Sequence, residues 1–373
     1  MAMGLEGCRS APSRRRTRRS ANGRGEGAHH GDGTAARDDD ADREASPTHR
    51  EPAAAAGAGE VLAAIDLGTN NCRLLVARPD GAGFRVIDAF SRIVRLGQGL
   101  DGSGQLGEDA VRRTLDALAV CAGKMRRRRV TRFRAVATAA CRRAGNGVEF
   151  LAQAAAETGL TLEIITPEEE AALALAGCRP LFDPRIPGAL VFDIGGGSTE
   201  IAWQRDGPAG RRVAALTMPI GVVTLAERHG GDRFTPETFE AMVGEVADRL
   251  GGFEARHGIA AEAAAGAVQL LGTSGTVTTL AGMHLALPRY RRDRVDGVFL
   301  DVARTLELGR DLAGMSFEER AAQPCIGRER ADLVVAGCAI LEAICRAWPV
   351  PRLRVADRGV REGILFGLMT QRS

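Results

Sequence analysis

The sequence predicts an α/β protein made of two related halves. Three observations carry that expectation. A strand–strand–strand opening occurs twice, and its two copies are about 127 residues apart, from Asp66 to Asp193. In each copy an apolar strand ends in Asp, one apolar residue follows, and a Gly-led turn comes next: "AAIDLGTNN" and "LVFDIGGGSTE". After each opening, helical stretches alternate with further strands.

Taken in order, residues 1–59 are rich in Gly, Ala, Ser, Arg and Asp, lack aromatics and show no hydrophobic period, so they read as disordered. Their charge is segregated, +6 up to Arg24 and −5 from Gly25 to Gly59. "SRRRTRRS" could touch RNA, polyphosphate or an acidic partner, but a solvated tail is the simpler reading. Order begins at Val61 with three strands joined by a tight turn and a Pro-Asp-Gly turn. A helix follows in "GEDAVRRTLDALAVCAGKMRRRR", with Val111, Leu115, Leu118 and Met125 on one side. "RFRAVATAACR" reads as a strand running into a loop, and "GVEFLAQAAAETG" as a helix closed by Gly159. "LTLEIITPEEEAALALAG" is a strand and a helix that starts at Pro167 with acids in its first turn. The second opening runs from "GALVFDIGGG" to "LTMPIG". Next come a helix capped by Thr235, a strand–turn–helix in "AVQLLGTSGTVTTLAGM", and a mainly helical stretch. The last elements are a short strand and a helix in "LRVADRGVREGILFGLM".

Composition excludes several function classes. Net charge is +3 and no run of 18 apolar residues exists, so neither a nucleic-acid partner nor a transmembrane helix is expected. The eight cysteines form no C-x-x-C pair and sit mostly in apolar runs, which fits reduced thiols and a cytoplasmic location. Lys124 is the only lysine and precedes Met, so there is no Walker A loop. "GSGQLG" (102–107) matches a dinucleotide fingerprint but follows a polar stretch, and reads as a loop.

The paired turns point to phosphate. Glycine reaches φ > 0 without penalty and lets the backbone approach a ligand. Successive N–H groups in such a turn make an anion-binding concavity. A strand-end Asp is costly to bury alone, and Mg²⁺ bridging it to phosphate oxygens satisfies both. An ordinary hairpin explains one such turn; two alike, with a third small-residue turn in "GTSGT" (272–276), favour the phosphate reading.

These turns together with "DRGVREGIL" resemble the actin/Hsp70/sugar-kinase superfamily. Within it, "AIDLGTNNCRLLVA", "AVATAACRRAGN", "EIITPEEEAALALAG", "FDIGGGSTEI" and "VADRGVREGIL" resemble the exopolyphosphatase and guanosine pentaphosphate phosphohydrolase family, in that family's order over residues 60–373. The resemblance implies two ribonuclease-H-like (actin-like ATPase) domains with the active site in the interdomain cleft. The expected boundaries are 60–168 rejoined by 355–373, and 169–354. It implies Mg²⁺-dependent release of terminal phosphate from polyphosphate or pppGpp. Glu170, before Ala in "PEEEA", is the implied catalytic carboxylate that deprotonates water; Glu168 and Glu169 read as helix-dipole acids. Arg142 is the implied phosphate-binding arginine, chosen over Arg143 by motif register.

Asp66, Asp193 and Glu200 match acidic positions around metal and phosphate. Gly68, Thr69, Asn70, Gly195, Gly196, Gly197, Ser198 and Thr199, with Gly272, Ser274 and Gly275 of the third turn, are the expected phosphate donors. Arg95 reads as either a steering charge or plain surface. The family often dimerises, which makes a homodimer the expected assembly. Pro167 and Ala172 stand where members often carry Gly and Arg, so loop shape and one phosphate contact differ here. Longer members continue into a helical domain that extends the substrate channel; this sequence stops just after "REGILFGLMTQRS". An ATP-using kinase and a nucleotide-switched assembly protein of the same superfamily are the alternatives.

Overall fold

In a computed structural model, which describes residues 59–371 apart from 209 and 231–233, the chain builds two mixed sheets. The tail expected to be disordered, with its basic run, lies outside the described residues except for Gly59. The first sheet comprises β1 (Leu62–Leu67), β2 (Asn71–Asp80), β3 (Gly83–Ile93), β4 (Arg132–Ala137) and β5 (Glu163–Ile164), in the order β3-β2-β1-β4-β5. The second comprises β6 (Gly188–Ile194), β7 (Thr199–Gly207), β8 (Gly210–Met218), β9 (Val268–Thr273), β10 (Phe299–Asp301) and β11 (Arg352–Ala356), in the order β10-β11-β9-β6-β7-β8. In each sheet the opening hairpins are antiparallel, and the first strand pairs in parallel with the strand that returns after the helices.

β1 is apolar on both sides because both its faces are covered. Ala63 and Ile65 pack with Leu115, Leu118 and Cys121 of the helix Glu108–Arg128. Leu62 and Ala64 pack with Ile364 and Leu365 of the helix Val360–Thr370, so the end of the described chain returns to the first sheet. That helix crosses the helix Pro167–Cys178 at a contact made of backbone. A Cβ on Gly177 would lie 2.1 Å from the Gly359 carbonyl oxygen, and one on Gly363 would lie 2.1 Å from that of Leu173.

One expected loop is a helix. After β4 the chain turns at once into Ala139–Arg143, with Ala139, Ala140 and Cys141 buried. Three small apolar residues in a row favour burial over solvation, and the turn they form sets the direction of Arg142. The "GSGQLG" stretch begins in the one-turn helix Leu100–Ser103, which Gly104 ends at φ 69°. The seven cysteines among the described residues are buried free thiols. Among the described residues no helix is long and apolar enough to cross a membrane.

Candidate active site

The two Asp-x-Gly turns are built alike. Gly68 N–H donates to the Asn71 carbonyl at 2.9 Å, and Gly195 N–H donates to the Ser198 carbonyl at 2.9 Å. Asp66 lies opposite Arg73 across the β1–β2 pair, and Asp193 lies opposite Glu200 across β6–β7. None of Gly68, Gly195, Gly196 and Gly197 has a positive φ, so the freedom expected of them is not what they use. They serve close approach instead. A Cβ on Gly197 would sit 2.5 Å from Thr69 Oγ1, and one on Gly196 would sit 3.0 Å from Thr69 Cβ and 3.1 Å from Asn70 N. The bare second turn therefore nests against the side chains of the first.

The third turn, at the end of β9, carries the unusual backbone. Ser274 has φ 99°, a glycine-like conformation that costs a β-carbon residue about 1–3 kcal/mol. Its Oγ is buried with no hydrogen-bond partner among the described residues.

Glu170 comes from the first turn of the helix Pro167–Cys178, which Thr166 caps by accepting the Glu169 N–H. The three neighbouring acids are separated by environment. Glu168 is exposed, Glu169 pairs with Arg134, and Glu170 is buried. The two candidate arginines separate in the same way. Arg143 pairs with Asp101, whereas Arg142 Nη1 donates to the Ile165 carbonyl at 2.8 Å and to Glu170 Oε2 at 3.3 Å.

Four carboxylates converge here. Burial raises Glu170 to about 7, with Arg142 opposing and Asp66 and Asp193 adding to the rise. Burial likewise lifts Asp193 to about 6 and raises Asp66, with Arg73 opposing in both cases. Glu200 is pushed well above its ordinary value by burial and by Glu170. Such a cluster favours a cation. Glu200 Oε1 is buried and unpartnered among the described residues, an oxygen suited to a ligand. Among the described residues no three His, Cys, Asp or Glu side chains form a ready metal cage. The donor set thus fits Mg²⁺ held by one or two carboxylates together with water and phosphate oxygens, the usual habit of that ion.

All of these groups except Arg142 line a chamber of about 100 Å³, together with Gly68, Thr69, Asn70, Gly195, Gly196, Gly197, Ser198, Ser274 and Gly275. Besides Arg142, two expected residues do not reach it. The Thr199 hydroxyl donates to the Ile220 carbonyl at 2.7 Å, and Gly272 is packed under the Phe192 ring, 2.5 Å from where a Cβ would stand. The chamber adjoins a mouth of about 950 Å³ that shares Asp66, Arg73, Asp193, Ser274, Gly275, Arg330 and Val360 with it. The mouth adds Arg92, Arg328, Arg358 and Arg361.

A model of the Ppx/GppA phosphatase family matches residues 75–372. The chain belongs to the Ppx/GppA phosphatase family. It is 32% identical over 323 residues to exopolyphosphatase 2 of Mycobacterium tuberculosis, covering 82% of this chain and 98% of that protein. The crystal structure of the Aquifex aeolicus member of the family superposes with a TM-score of 0.67 at 28% identity, covering 84% of this chain and 99% of that one. An exopolyphosphatase from Cytophaga hutchinsonii shares the fold, with a TM-score of 0.75 at 24% identity over 84% of this chain and 99% of its own.

Two residues of this Ppx/GppA phosphatase's chamber escape the sequence reading. Arg73 is the repeat counterpart of Glu200, as each lies seven residues past its Asp, and that spacing was the signal available for it. Its guanidinium makes no ion pair or hydrogen bond among the described residues. Arg330 donates to Thr279 Oγ1 at 3.3 Å and has no carboxylate partner among the described residues. Burial and the neighbouring Arg73 charge pull it below its ordinary value. No periodicity or turn signal marks it in the sequence.

Proposed function

We propose that this protein is a Mg²⁺-dependent phosphohydrolase that removes the terminal phosphate of inorganic polyphosphate. One observation carries the reading. Arg73 and Arg330, one from each half, line a small chamber beside four carboxylates without a direct ion pair among the described residues, and the chamber opens into an arginine-lined mouth. Neither guanidinium is engaged bidentately by a carboxylate among the described residues, and the oxygens of a phosphate chain suit such a donor. A chamber of about 100 Å³ suits a phosphoryl group, while the mouth of about 950 Å³ takes the rest of the phosphate chain. The name of the Mycobacterium relative, an exopolyphosphatase, supports the same substrate.

In this reading the halves are domains, 60–168 with 355–373 and 169–354, and the cleft between them is the active site. Glu170 accepts a proton from water, whose oxygen attacks the terminal phosphorus. The P–O anhydride bond breaks, and orthophosphate and a chain one unit shorter leave. Arg142 orients Glu170 and offsets charge on the transferring group. One or two of Asp66, Asp193 and Glu200 would hold Mg²⁺, which would offset charge on the phosphate oxygens when bound. The turn amides and Ser274 position the phosphoryl group.

Guanosine pentaphosphate is the second reading. It is favoured by Tyr290, whose ring is 41% exposed on the rim of the mouth where a base could stack, its hydroxyl held by Asp357.

Phosphate release by the full chain with Mg²⁺, offered polyphosphate and pppGpp separately, tests both. Glu170→Gln is expected to lower kcat by roughly 10²–10⁴-fold on whichever is the substrate. Release that survives the substitution places the base elsewhere.

A further inference from the structure

Arg330 reaches the chamber from the segment between the helices Phe317–Ala321 and Val334–Ala347, and nothing on its own side chain beyond the Thr279 contact fixes it. Its backbone is gripped from outside. Arg95, from the other half, donates through Nη2 to the Glu329 carbonyl at 3.0 Å. The same guanidinium holds the Asp332 carboxylate through Nη1 at 2.7 Å and Nη2 at 3.2 Å. Fully buried Arg320 donates through Nε to the Ala331 carbonyl at 2.8 Å. Residues 329, 331 and 332 are thus held while the residue between them, Arg330, lines the chamber.

A surface ion pair explains this poorly. Arg95 and Asp332 are 31% and 25% exposed, and pairs of that exposure contribute little to stability. Arg95 nevertheless adopts φ 50°, a left-handed backbone that non-glycine residues take only against a cost. Its guanidinium also spans a carbonyl and a carboxylate three residues apart, a grip that suits a planar fork of donors.

We propose that Arg95 is a positioning residue for substrate binding: by clasping Glu329 and Asp332 across the cleft it sets the Arg330 guanidinium against the phosphate chain. This rests on the reading of Arg330 as a phosphate ligand. It also makes substrate affinity depend on both halves being in register, because the clasp closes only when they are.

The test is a double-mutant cycle in the full chain. KM and kcat for polyphosphate with Mg²⁺ are measured for Arg95→Met, Arg330→Met and the double variant. Tripolyphosphate binding is measured for the same set in a Glu170→Gln background. Arg95→Met is expected to raise KM and Kd by roughly tenfold, the scale of one misplaced charge-assisted hydrogen bond, with kcat within about twofold. Added to Arg330→Met it changes KM by less than about twofold, since the residue it positions is gone. Asp332→Asn, which keeps the shape, moves KM in the same direction. Arg132→Met is the control: Arg132 holds Glu60 at 2.9 Å and the Gln371 carbonyl at 2.8 Å, away from the chamber, and its loss leaves KM unchanged. Wild-type KM in Arg95→Met, or a full tenfold effect that persists without Arg330, overturns the inference and leaves the function standing. Failure of the unsubstituted chain to release phosphate, together with no tripolyphosphate binding by Glu170→Gln, overturns the function and the inference together.

Discussion

The β1–β2 turn and the β6–β7 turn share a backbone and differ in almost everything attached to it. The first carries Thr69 and Asn70 where the second has Gly196 and Gly197, and Arg73 where the second has Glu200. A repeated scaffold has been made to face itself, and two identical copies could not do so. Were both turns furnished like the first, their side chains would occupy the same space. Were both strands to carry Arg at the seventh position, the cluster would lose one of its four carboxylates; were both to carry Glu, it would gain a fifth and lose one of its two arginines. In the function proposed above, asymmetry at these positions lets one turn meet phosphate and the other a cation.

The comparison breaks most completely on charge. Arg73→Glu would give the first half the second half's residue and add a fifth carboxylate to the cluster, so kcat/KM is expected to fall by roughly 10³-fold or more. Steady-state kinetics with polyphosphate read this directly. If Arg73→Glu stays within tenfold of the parent, the two strands are not specialised as described.

Acidity distinguishes the walls next. With Glu170 raised to about 7, the fraction able to accept a proton falls as pH drops below that value. The expected pH profile of kcat/KM loses up to about tenfold per unit below pH 7 and is flat above it. Stability runs the other way. Between the ordinary carboxylate pKa and about 7 the folded chain binds more protons than the unfolded one, so each rise in pH through that window destabilises it. Glu170→Gln removes this penalty and should raise stability at pH 8 by about 1–3 kcal/mol, measurable by urea titration at pH 5 and pH 8. An equal effect at both pH values would contradict the assignment.

Nesting is broken by a single methyl. Gly197→Ala places a carbon on Thr69 Oγ1 and should cost about 1–3 kcal/mol, as overpacking does. Thr69→Gly in the same chain should recover most of that loss, which thermal unfolding of the two singles and the double would show. At the small end, Thr199→Val removes a hydroxyl committed to Ile220, so it should cost about 1 kcal/mol of stability and leave kcat within about twofold.

Legibility in the sequence tracks the range of the interactions. Both Asp-x-Gly turns, the strand order within each opening and the capped helix of Glu170 depend on neighbours a few residues away, and the sequence displays them. Arg142 and Arg143 are indistinguishable as letters; only the buried helix Ala139–Arg143 turns one toward Glu170. Gly196 and Gly197 read as conformational freedom because the atoms they make way for, on Thr69 and Asn70, belong to the other turn, far upstream. Arg330 has no local signal at all, since its place depends on Arg95, more than two hundred residues earlier, and on an arginine buried under Phe234. Thr199 and Gly272 match their motifs by position, but packing gives them other work.

The crossing of the helices Pro167–Cys178 and Val360–Thr370 on bare backbone also bears on biogenesis. The surface that the helix of Glu170 rests on is translated nearly two hundred residues after that helix itself. Until residues 359–370 have left the ribosome, Leu62, Ala64 and Leu75 lack the cover of Val360, Ile364, Leu365 and Leu368, and the helix that carries Glu170 lacks the backbone it crosses. The surroundings of Glu170 are therefore completed only after the whole second sheet has been made.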